Sequence, residues 1–211
     1  MEDRESYDDG SRRVPRLAAA LATHSGLVFV AVLSLIILLL EAVPGSRGLL
    51  RLERELLLVP AEAARWFGAH LVHLGWRHAI LNLAGLWLVA WYLGAGFGAR
   101  AWALSIGIAA IAVDLGIRVG NPELGWYVGL SGVLHGVLVA GLIEGGTLPR
   151  WERALMAALI TAKITWEQLA GPVPGSELVS GGAVVVDAHL YGALGGTVAG
   201  LLLIGLRRAR G

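Results

Sequence analysis

Long apolar runs, separated by connections that hold most of the charge, are the feature that most constrains this chain. Hydrophobic residues make up 56% of its 211 residues, charged residues only 16%, and the mean hydropathy is +0.67. A water-soluble domain usually carries about 25% charged residues. Runs of roughly 20 residues with few charges are typical of helices that cross a bilayer. The pattern therefore predicts an all-α membrane protein.

Six helices are predicted to span the membrane. Their predicted bounds are about 26–43, Trp76–Leu93, 101–118, Ser131–Ile143, 152–170 and 184–206. Residues 44–73 differ because Arg and Glu interrupt their short apolar groups, which suits an amphipathic segment at the membrane interface. The chain is thus predicted to form a polar cytoplasmic tail over 1–24, a six-helix membrane domain over 25–206 and a basic cytoplasmic tail over 207–211.

The distribution of basic residues predicts how these helices are oriented. With six spans both tails lie on one side of the membrane, and that side holds 10 of the 17 Lys and Arg residues. The loop 171–183, on the opposite side, has none. Lys and Arg accumulate in cytoplasmic loops, so both termini are predicted to be cytoplasmic. Ser131 and His189 would then lie near the extracytoplasmic ends of their helices.

Overall charge and cysteine content exclude some classes of function. The net charge is +1, which gives no electrostatic case for binding nucleic acid. The chain has no cysteine, so disulfides and thiolate metal sites are excluded.

Polar side chains within the predicted spans are few. Such groups are costly in a bilayer and are candidates for function by default. They are His78 and Asn82 in the second helix, Asp114 in the third, Ser131 and His135 in the fourth, Lys163, Glu167 and Gln168 in the fifth, and Asp187 and His189 in the sixth. Most of them fall in the half of the span nearest the outer face, which predicts a shared site there.

Ser131 has the surroundings that a nucleophile requires. A serine hydroxyl needs a neighbouring base, and His189 on another helix could supply it. An oxyanion formed at Ser131 would need hydrogen-bond donors. The N–H group of Ser131 lies at a predicted helix start. His78 and Asn82 are four residues apart and share one helix face. Together with the Ser131 N–H group, their side chains could provide the donors.

These residues resemble those of the rhomboid intramembrane serine proteases. The segments that carry the resemblance are "GLSG" at 129–132, "HAILN" at 78–82 and "AHLYGALGG" at 188–196. The resemblance implies a six-helix bundle with Ser131 as nucleophile and His189 as base, a dyad without an acid. It also implies an oxyanion hole formed by His78, Asn82 and the Ser131 N–H group. No metal or organic cofactor is expected.

Within that family, the chain looks most like the rhombosortases. The segments concerned are "GLSGVLHG" at 129–136, "KITWEQLAG" at 163–171 and "DAHLYGALGG" at 187–196. The resemblance implies a protein substrate with a C-terminal tail made of a Gly-Gly signature, a hydrophobic span and a basic cluster. It implies cleavage near the Gly-Gly and transfer of the new C-terminus to water or to an amine. The expected location is a bacterial inner membrane, with the active site open to the extracytoplasmic side.

The role of His135 stays open between three interpretations. It lies one helical turn after Ser131, on the same face, at a position where many rhomboids have an aromatic residue. It is expected to pack against His189, to act itself as a base, or to form a structural hydrogen bond only. Gly132, directly after the serine, is expected to leave room for substrate and for the sixth helix.

Several charged or polar residues have alternative interpretations. Lys163 and Glu167, four residues apart, are expected to form an internal ion pair, or Glu167 and Gln168 help to recognise the substrate. Asp187 could be a third catalytic residue beside His189, but it projects to a different side of the helix from His189, which opposes that role. Asp114 is expected to pair with Arg118 one turn later or with a polar residue of a neighbouring helix. His70 and His73 are expected to have structural roles in the first loop rather than to bind a metal.

The same residues leave three rival functions. A general rhomboid protease that hydrolyses single-span membrane proteins would differ only in substrate and acceptor. An inactive rhomboid-like binder of transmembrane segments is opposed by the presence of both Ser131 and His189. A transporter is opposed because the sequence has no inverted repeat and no interrupted helix pair.

Overall fold

The computed structural model describes residues 10–146 and 148–209, with the side chains of 24–94, 96–146 and 148–209, and it is mostly helical. Its α-helices within these residues are α1 (Gly10–Ala42), α2 (Ser46–Leu50), α3 (Arg65–Gly68), α4 (Trp76–Leu93), α5 (Ala99–Gly120), α6 (Ser131–Glu144), α7 (Arg150–Ala170), α8 (Ser176–Ser180) and α9 (Val186–Arg208). Two short strands, β1 (Leu52–Glu53) and β2 (Trp126–Tyr127), pair antiparallel, and 3-10 turns cover Pro60–Glu62 and Gly94–Gly96.

Six of these helices correspond to the six predicted ones, and α4 has the predicted bounds. The first helix differs, because α1 begins at Gly10 rather than near residue 26 and so includes residues 10–24 of the predicted polar tail. Residues 16–22, "RLAAALA", are strong helix formers and favour this extension. Residues 1–9 of that tail lie outside the described residues. At the other end α9 continues to Arg208 of the predicted basic tail, and residues 210–211 lie outside the described part.

Three of the described helices contain a stretch long and apolar enough to cross a membrane. These stretches are His24–Ala42, Ala99–Gly120 and Val186–Arg208, and α6 is a shorter apolar helix. Large apolar side chains such as Leu39, Trp91 and Leu201 are exposed on the outside of the bundle. An exposed apolar surface of this kind is what a protein presents to lipid.

Helix α9 packs between α5 and α6 with very close backbone contact to α6. A Cβ atom added at Gly132 of α6 would lie 2.6 Å from the carbonyl oxygen of Ala188 in α9. A Cβ atom added at Gly192 or Gly196 of α9 would collide with the carbonyl oxygens of Gly132 and Gly136. Small residues permit this approach in membrane helices. Gly132, which was expected to leave room for the sixth helix, therefore lies at the contact of α6 with α9.

The first loop folds into short elements that hold the segment leading into α6. Strand β1 pairs with β2 through Leu52 opposite Tyr127 and Glu53 opposite Trp126. The backbone N–H of Gly129 donates to the carbonyl of Ala69 at 2.9 Å. The predicted interfacial segment 44–73 thus includes a strand in a fold predicted as all-α. Its contacts fix the approach of the chain to Ser131.

Candidate active site

Ser131 is the first residue of α6 and follows a turn that only glycine suits. Gly129 has φ +120°, a left-handed conformation that residues with a side chain rarely adopt. A Cβ atom there would also lie 2.9 Å from Cε1 of His78. After this turn the Ser131 side chain faces a cavity. The backbone N–H group of Ser131 lies in the first turn of α6, where backbone donors lack intrahelical partners.

His189 meets Ser131 although the two residues are 58 positions apart in the chain. Its Nε2 atom lies 3.1 Å from Oγ of Ser131, within hydrogen-bonding distance. His189 is buried, in the first turn of α9, where Ala188 contacts Gly132. The close crossing of α6 and α9 therefore sets the distance between the hydroxyl and the imidazole.

A carboxylate and an ammonium group lie on the other side of the His189 ring. Oε2 of Glu167 is 2.9 Å from Nδ1 of His189, and Oε1 of Glu167 accepts a hydrogen bond from Nζ of Lys163 at 2.7 Å. Nζ of Lys163 is itself 3.4 Å from Nδ1. A carboxylate only accepts hydrogen bonds, and its oxygen lies closer to Nδ1 than the ammonium group does, so we assign the proton to Nδ1. The lone pair of Nε2 is then free to accept from the Ser131 hydroxyl.

The sequence predicted the Lys163–Glu167 ion pair but not the contact between Glu167 and His189. The four-residue spacing indicates that the two charged side chains share one face of α7. It does not indicate which neighbouring helix that face meets. The signal available was the burial cost of two charges in an apolar helix, which calls for a third polar partner.

His135 is engaged with both Ser131 and His189. Its ring stacks on that of His189, with centroids 4.2 Å apart and planes 17° apart. Its Nδ1 atom lies 2.8 Å from the backbone carbonyl of Ser131. A carbonyl accepts only, so Nδ1 of His135 donates this hydrogen bond. The structure thus has the packing contact that one interpretation expected and a hydrogen bond of the kind that another expected.

His78 and Asn82 line the same cavity as Ser131. Nδ1 of His78 accepts from the backbone N–H of Leu74 at 3.4 Å, which leaves the proton of the neutral ring on Nε2. The side-chain amide of Asn82 donates to the carbonyl of His78 at 2.9 Å and has a second N–H bond to offer. Both residues therefore retain a donor, as the predicted oxyanion site requires.

The cavity at these residues has a volume of about 490 Å³ and mostly apolar walls. Leu134, Leu138 and Ile160 contribute side chains from α6 and α7. The segment between α7 and α9 contributes more of the wall, including Val179 and Val184. An extended apolar peptide segment would find a matching surface here, next to a small group of polar atoms.

The remaining predicted residues do not line the cavity at Ser131. Asp187 accepts a hydrogen bond from the side-chain amide of Asn121 at 2.6 Å and does not contact His189. The pairing of Asp114 with Arg118 is wrong, because Oδ1 of Asp114 lies 3.1 Å from Nε2 of the first-loop residue His70. Gln168 is exposed and is not part of the cavity wall.

Among the described residues, one group of side chains could hold a metal ion: His135, Glu167 and His189. Their ligand atoms lie within 4.8 Å of one another. The two imidazole rings are stacked, so their nitrogen lone pairs lie in nearly parallel planes and do not converge. Binding one ion at all three residues would require a ring to leave the stack.

Comparison with known families identifies the chain. The family model described as "Rhomboid domain" matches residues 60–206, which is more than half of the sequence and includes Ser131, Glu167 and His189. No curated protein matches the chain significantly. This family consists of multi-pass intramembrane serine proteases that act on membrane proteins within the bilayer. The chain belongs to the rhomboid family.

Proposed function

We propose that this rhomboid is a rhombosortase-type endopeptidase that uses Ser131 as nucleophile and His189 as general base. The observation that carries the catalytic assignment is the 3.1 Å distance between Nε2 of His189 and Oγ of Ser131. The tautomer set by Glu167 supports it, because Nε2 then has the lone pair that a base needs.

In the first step Oγ of Ser131 attacks a carbonyl carbon of the substrate chain, and His189 takes the hydroxyl proton on Nε2. The carbonyl oxygen becomes an oxyanion. The Ser131 N–H group and the side chains of His78 and Asn82 donate hydrogen bonds to it. Removing a single donor of this kind typically costs about 100- to 1,000-fold in kcat.

In the second step the substrate C–N bond breaks and the leaving amine takes the proton from Nε2 of His189. The acyl group remains as an ester on Ser131. Water or an amine then attacks the ester and gives its proton to His189. Collapse of the second tetrahedral intermediate returns the proton to Ser131 and releases the new C-terminus.

The substrate we propose is an exported protein with a C-terminal tail of Gly-Gly, a hydrophobic span and basic residues. Support comes from the three segments that resemble rhombosortases. They contribute Ser131, Lys163, Glu167 and His189, and these side chains meet at one cavity. The apolar wall suits a hydrophobic substrate segment.

The proposed setting is a bacterial inner membrane crossed by α1, α4, α5, α6, α7 and α9, with both termini cytoplasmic. The membrane domain would cover residues 25–206 between cytoplasmic tails at 1–24 and 207–211. The distribution of basic residues supports this orientation. Cysteines introduced into the cysteine-free chain at the tails and in the loop 171–183 allow a test by labelling from the outside of cells.

The catalytic assignment is tested by labelling with a fluorophosphonate or isocoumarin probe. We expect the purified protein to be labelled, the adduct to map to Ser131, and Ser131→Ala and His189→Ala to lose labelling and cleavage. Labelling that persists in folded Ser131→Ala would overturn the assignment. Complete absence of labelling and cleavage in the wild-type protein would instead favour the inactive binder.

The substrate is tested with a reporter that ends in Gly-Gly, a hydrophobic run and a basic cluster. Mass spectrometry of its mature C-terminus, with active enzyme and with Ser131→Ala, gives both the bond cleaved and the acceptor. A matched reporter with Gly-Gly replaced by Val-Val should remain uncleaved. Equal cleavage of the two reporters would favour a general rhomboid protease.

A further inference from the structure

We propose that Glu167 is a positioning residue that orients His189 and completes a Ser131–His189–Glu167 triad, instead of the acid-free dyad that the resemblance implied. The proposal rests on the proposed function of Ser131 and His189. It assigns to Glu167 neither a contact with substrate nor a proton transfer. Glu167 acts on the reaction only through the imidazole ring.

The geometry at His189 has the order of atoms that such a triad requires. One ring nitrogen, Nε2, is 3.1 Å from Oγ of Ser131, and the other, Nδ1, is 2.9 Å from Oε2 of Glu167. The side chains of His189 and Glu167 are only 6% and 3% exposed. Water therefore has little access to compete for the hydrogen bond between them, and the ring is fixed at both nitrogens.

Lys163 holds the second oxygen of the same carboxylate. Its Nζ atom donates to Oε1 of Glu167 at 2.7 Å, so that each carboxylate oxygen has one donor. A buried carboxylate needs such compensation for its charge. The hydrogen bond from Lys163 to Oε1 leaves Oε2 of Glu167 directed at Nδ1 of His189. Lys163 thus supports the orientation of Glu167 and is not needed as a base.

The carboxylate comes from α7 and not from the neighbouring sequence of His189. Asp187, two residues before His189, is occupied by the side-chain amide of Asn121 at 2.6 Å. The arrangement follows the general logic of serine hydrolases, in which an acid fixes the tautomer and orientation of the histidine. Here the acid lies 22 residues before the histidine in the chain.

The proton balance of the step is simple. The O–H bond of Ser131 breaks as Oγ attacks, and the proton moves to Nε2 of His189. The Nδ1–H bond remains intact throughout, and the positive charge on the ring lies next to the negative charge of Glu167. The carboxylate stabilises the imidazolium without taking its proton.

The test compares kcat and KM for the purified full-length protein carrying Glu167→Gln. We expect kcat to fall on the order of 10³- to 10⁴-fold, with KM nearly unchanged. Glu167→Asp, which keeps the carboxylate, should recover part of the loss. The control is Glu152→Gln, the same change at the opposite end of α7, which should leave kcat and KM unchanged. A raised KM with unchanged kcat would overturn the proposal and make Glu167 a substrate contact.

Two further measurements test the proposal if the Glu167→Gln variant does not fold. The double variant Lys163→Met/Glu167→Gln removes both charges of the pair, and its thermal unfolding in detergent reports folding separately from kcat. In the wild-type protein, ¹⁵N NMR of labelled histidine at a pH where the ring is neutral should find the His189 proton on Nδ1. A proton on Nε2 would overturn the proposal whether or not the variants fold.

The outcomes separate this proposal from the proposed function. If Ser131→Ala is inactive while folded Glu167→Gln keeps kcat within about threefold of the wild-type value, the triad is refuted and the dyad stands. If Ser131→Ala remains active, the proposed function itself is refuted. If both Ser131→Ala and Glu167→Gln lose kcat as expected and Glu167→Asp recovers part of it, both proposals hold.

Discussion

The imidazole ring of His135 stacks on that of His189 at a centroid distance of 4.2 Å, while its Nδ1 atom donates to the backbone carbonyl of Ser131 at 2.8 Å. One side chain therefore contacts both members of the proposed catalytic pair. The His135 ring lies against the face of the His189 ring, whereas Glu167 is hydrogen-bonded to Nδ1 at the edge of that ring. Many rhomboids have an aromatic residue at this position, and a histidine can stack in the same way.

We expect His135→Phe to retain activity and His135→Ala to lose part of it. An aromatic pair contributes about 0.5–1.5 kcal/mol beyond its buried area, which corresponds to roughly a two- to tenfold loss of kcat/KM in the alanine variant. Phenylalanine restores the stack but cannot accept a proton. Cleavage of a reporter substrate by the two variants checks this. An inactive phenylalanine variant that still folds would show that activity requires a ring nitrogen of His135, either in its hydrogen bond to Ser131 or in proton transfer.

We expect Gly196→Ala to destabilise the protein and Gly205→Ala to leave it unchanged. Both glycines are in α9, but a Cβ atom at Gly196 would collide with the backbone carbonyl of Gly136, whereas nothing lies within 4 Å of one at Gly205. Overpacking of this kind costs about 1–3 kcal/mol. Thermal unfolding in detergent measures both variants. Equal unfolding temperatures would contradict the close contact between α6 and α9.

The stability that the buried pair His70 and Asp114 contributes should depend on hydrogen bonding more than on charge. His70 lies between two acceptors, Oδ1 of Asp114 at 3.1 Å and the carbonyl of Gly129 at 3.3 Å. A neutral imidazole has only one N–H bond to donate. A neutral imidazole bonded at both nitrogens therefore needs one partner that donates to it.

We accordingly expect Asp114→Asn to be tolerated better than Asp114→Ala. The amide of asparagine can donate to Nε2 of His70, while Nδ1–H of His70 donates to the Gly129 carbonyl. Alanine leaves a buried nitrogen unpaired, at a cost of about 1–3 kcal/mol. Chemical or thermal unfolding of both variants is the measurement. A smaller loss of stability in Asp114→Ala than in Asp114→Asn would refute this account.

The first-loop residue His73 should make stability depend on pH. Burial, reinforced by the neighbouring His78 and His70, lowers the pKa of His73 to about 3. In the unfolded chain a histidine has a pKa of about 6.5. Between these two values the unfolded chain binds a proton that the folded chain does not. The free energy of unfolding therefore falls as the pH drops from about 6.5 towards 3.

We expect His73→Phe to weaken this pH dependence and to maintain or raise stability at neutral pH. Both ring nitrogens of His73 are buried without a hydrogen-bond partner among the described residues, and an apolar ring removes that penalty. A phenylalanine can also keep the edge contact with His78. Unfolding temperatures of wild type and variant at pH 7 and pH 5 provide the check. If the change in unfolding temperature between pH 7 and pH 5 is the same in the wild type and the variant, His73 is not the cause of that change.

The helices were predictable because local signals delimit them. Gly75 and Gly94 enclose the apolar run of α4, and its predicted and observed bounds agree. The start of α1 was not predicted, because the polar residues before position 26 indicate a tail, whereas the high helix propensity of residues 16–22 favours a helix. The strands β1 and β2 were missed because two residues each are too short to show an alternating pattern.

Contacts between helices were predictable only where a resemblance supplied them. The pairing of Ser131 with His189 came from family motifs, since nothing in a separation of 58 residues implies contact. Spacing alone favoured Arg118 as the partner of Asp114, one turn away. The structure instead has His70, 44 residues away. Spacing within a helix identifies side chains that share a face, but packing decides what that face meets.

The order of the helices along the chain has a consequence for biosynthesis. The proposed nucleophile is on α6, but the base is on α9, which packs between α5 and α6 after the chain has passed through α7 and α8. A nascent chain inserted as far as α7 has Ser131, Lys163 and Glu167 but lacks His189, the proposed base. Under the proposed mechanism, proteolytic activity therefore arises only after α9 has been translated and has docked, and a partly synthesised chain lacks it.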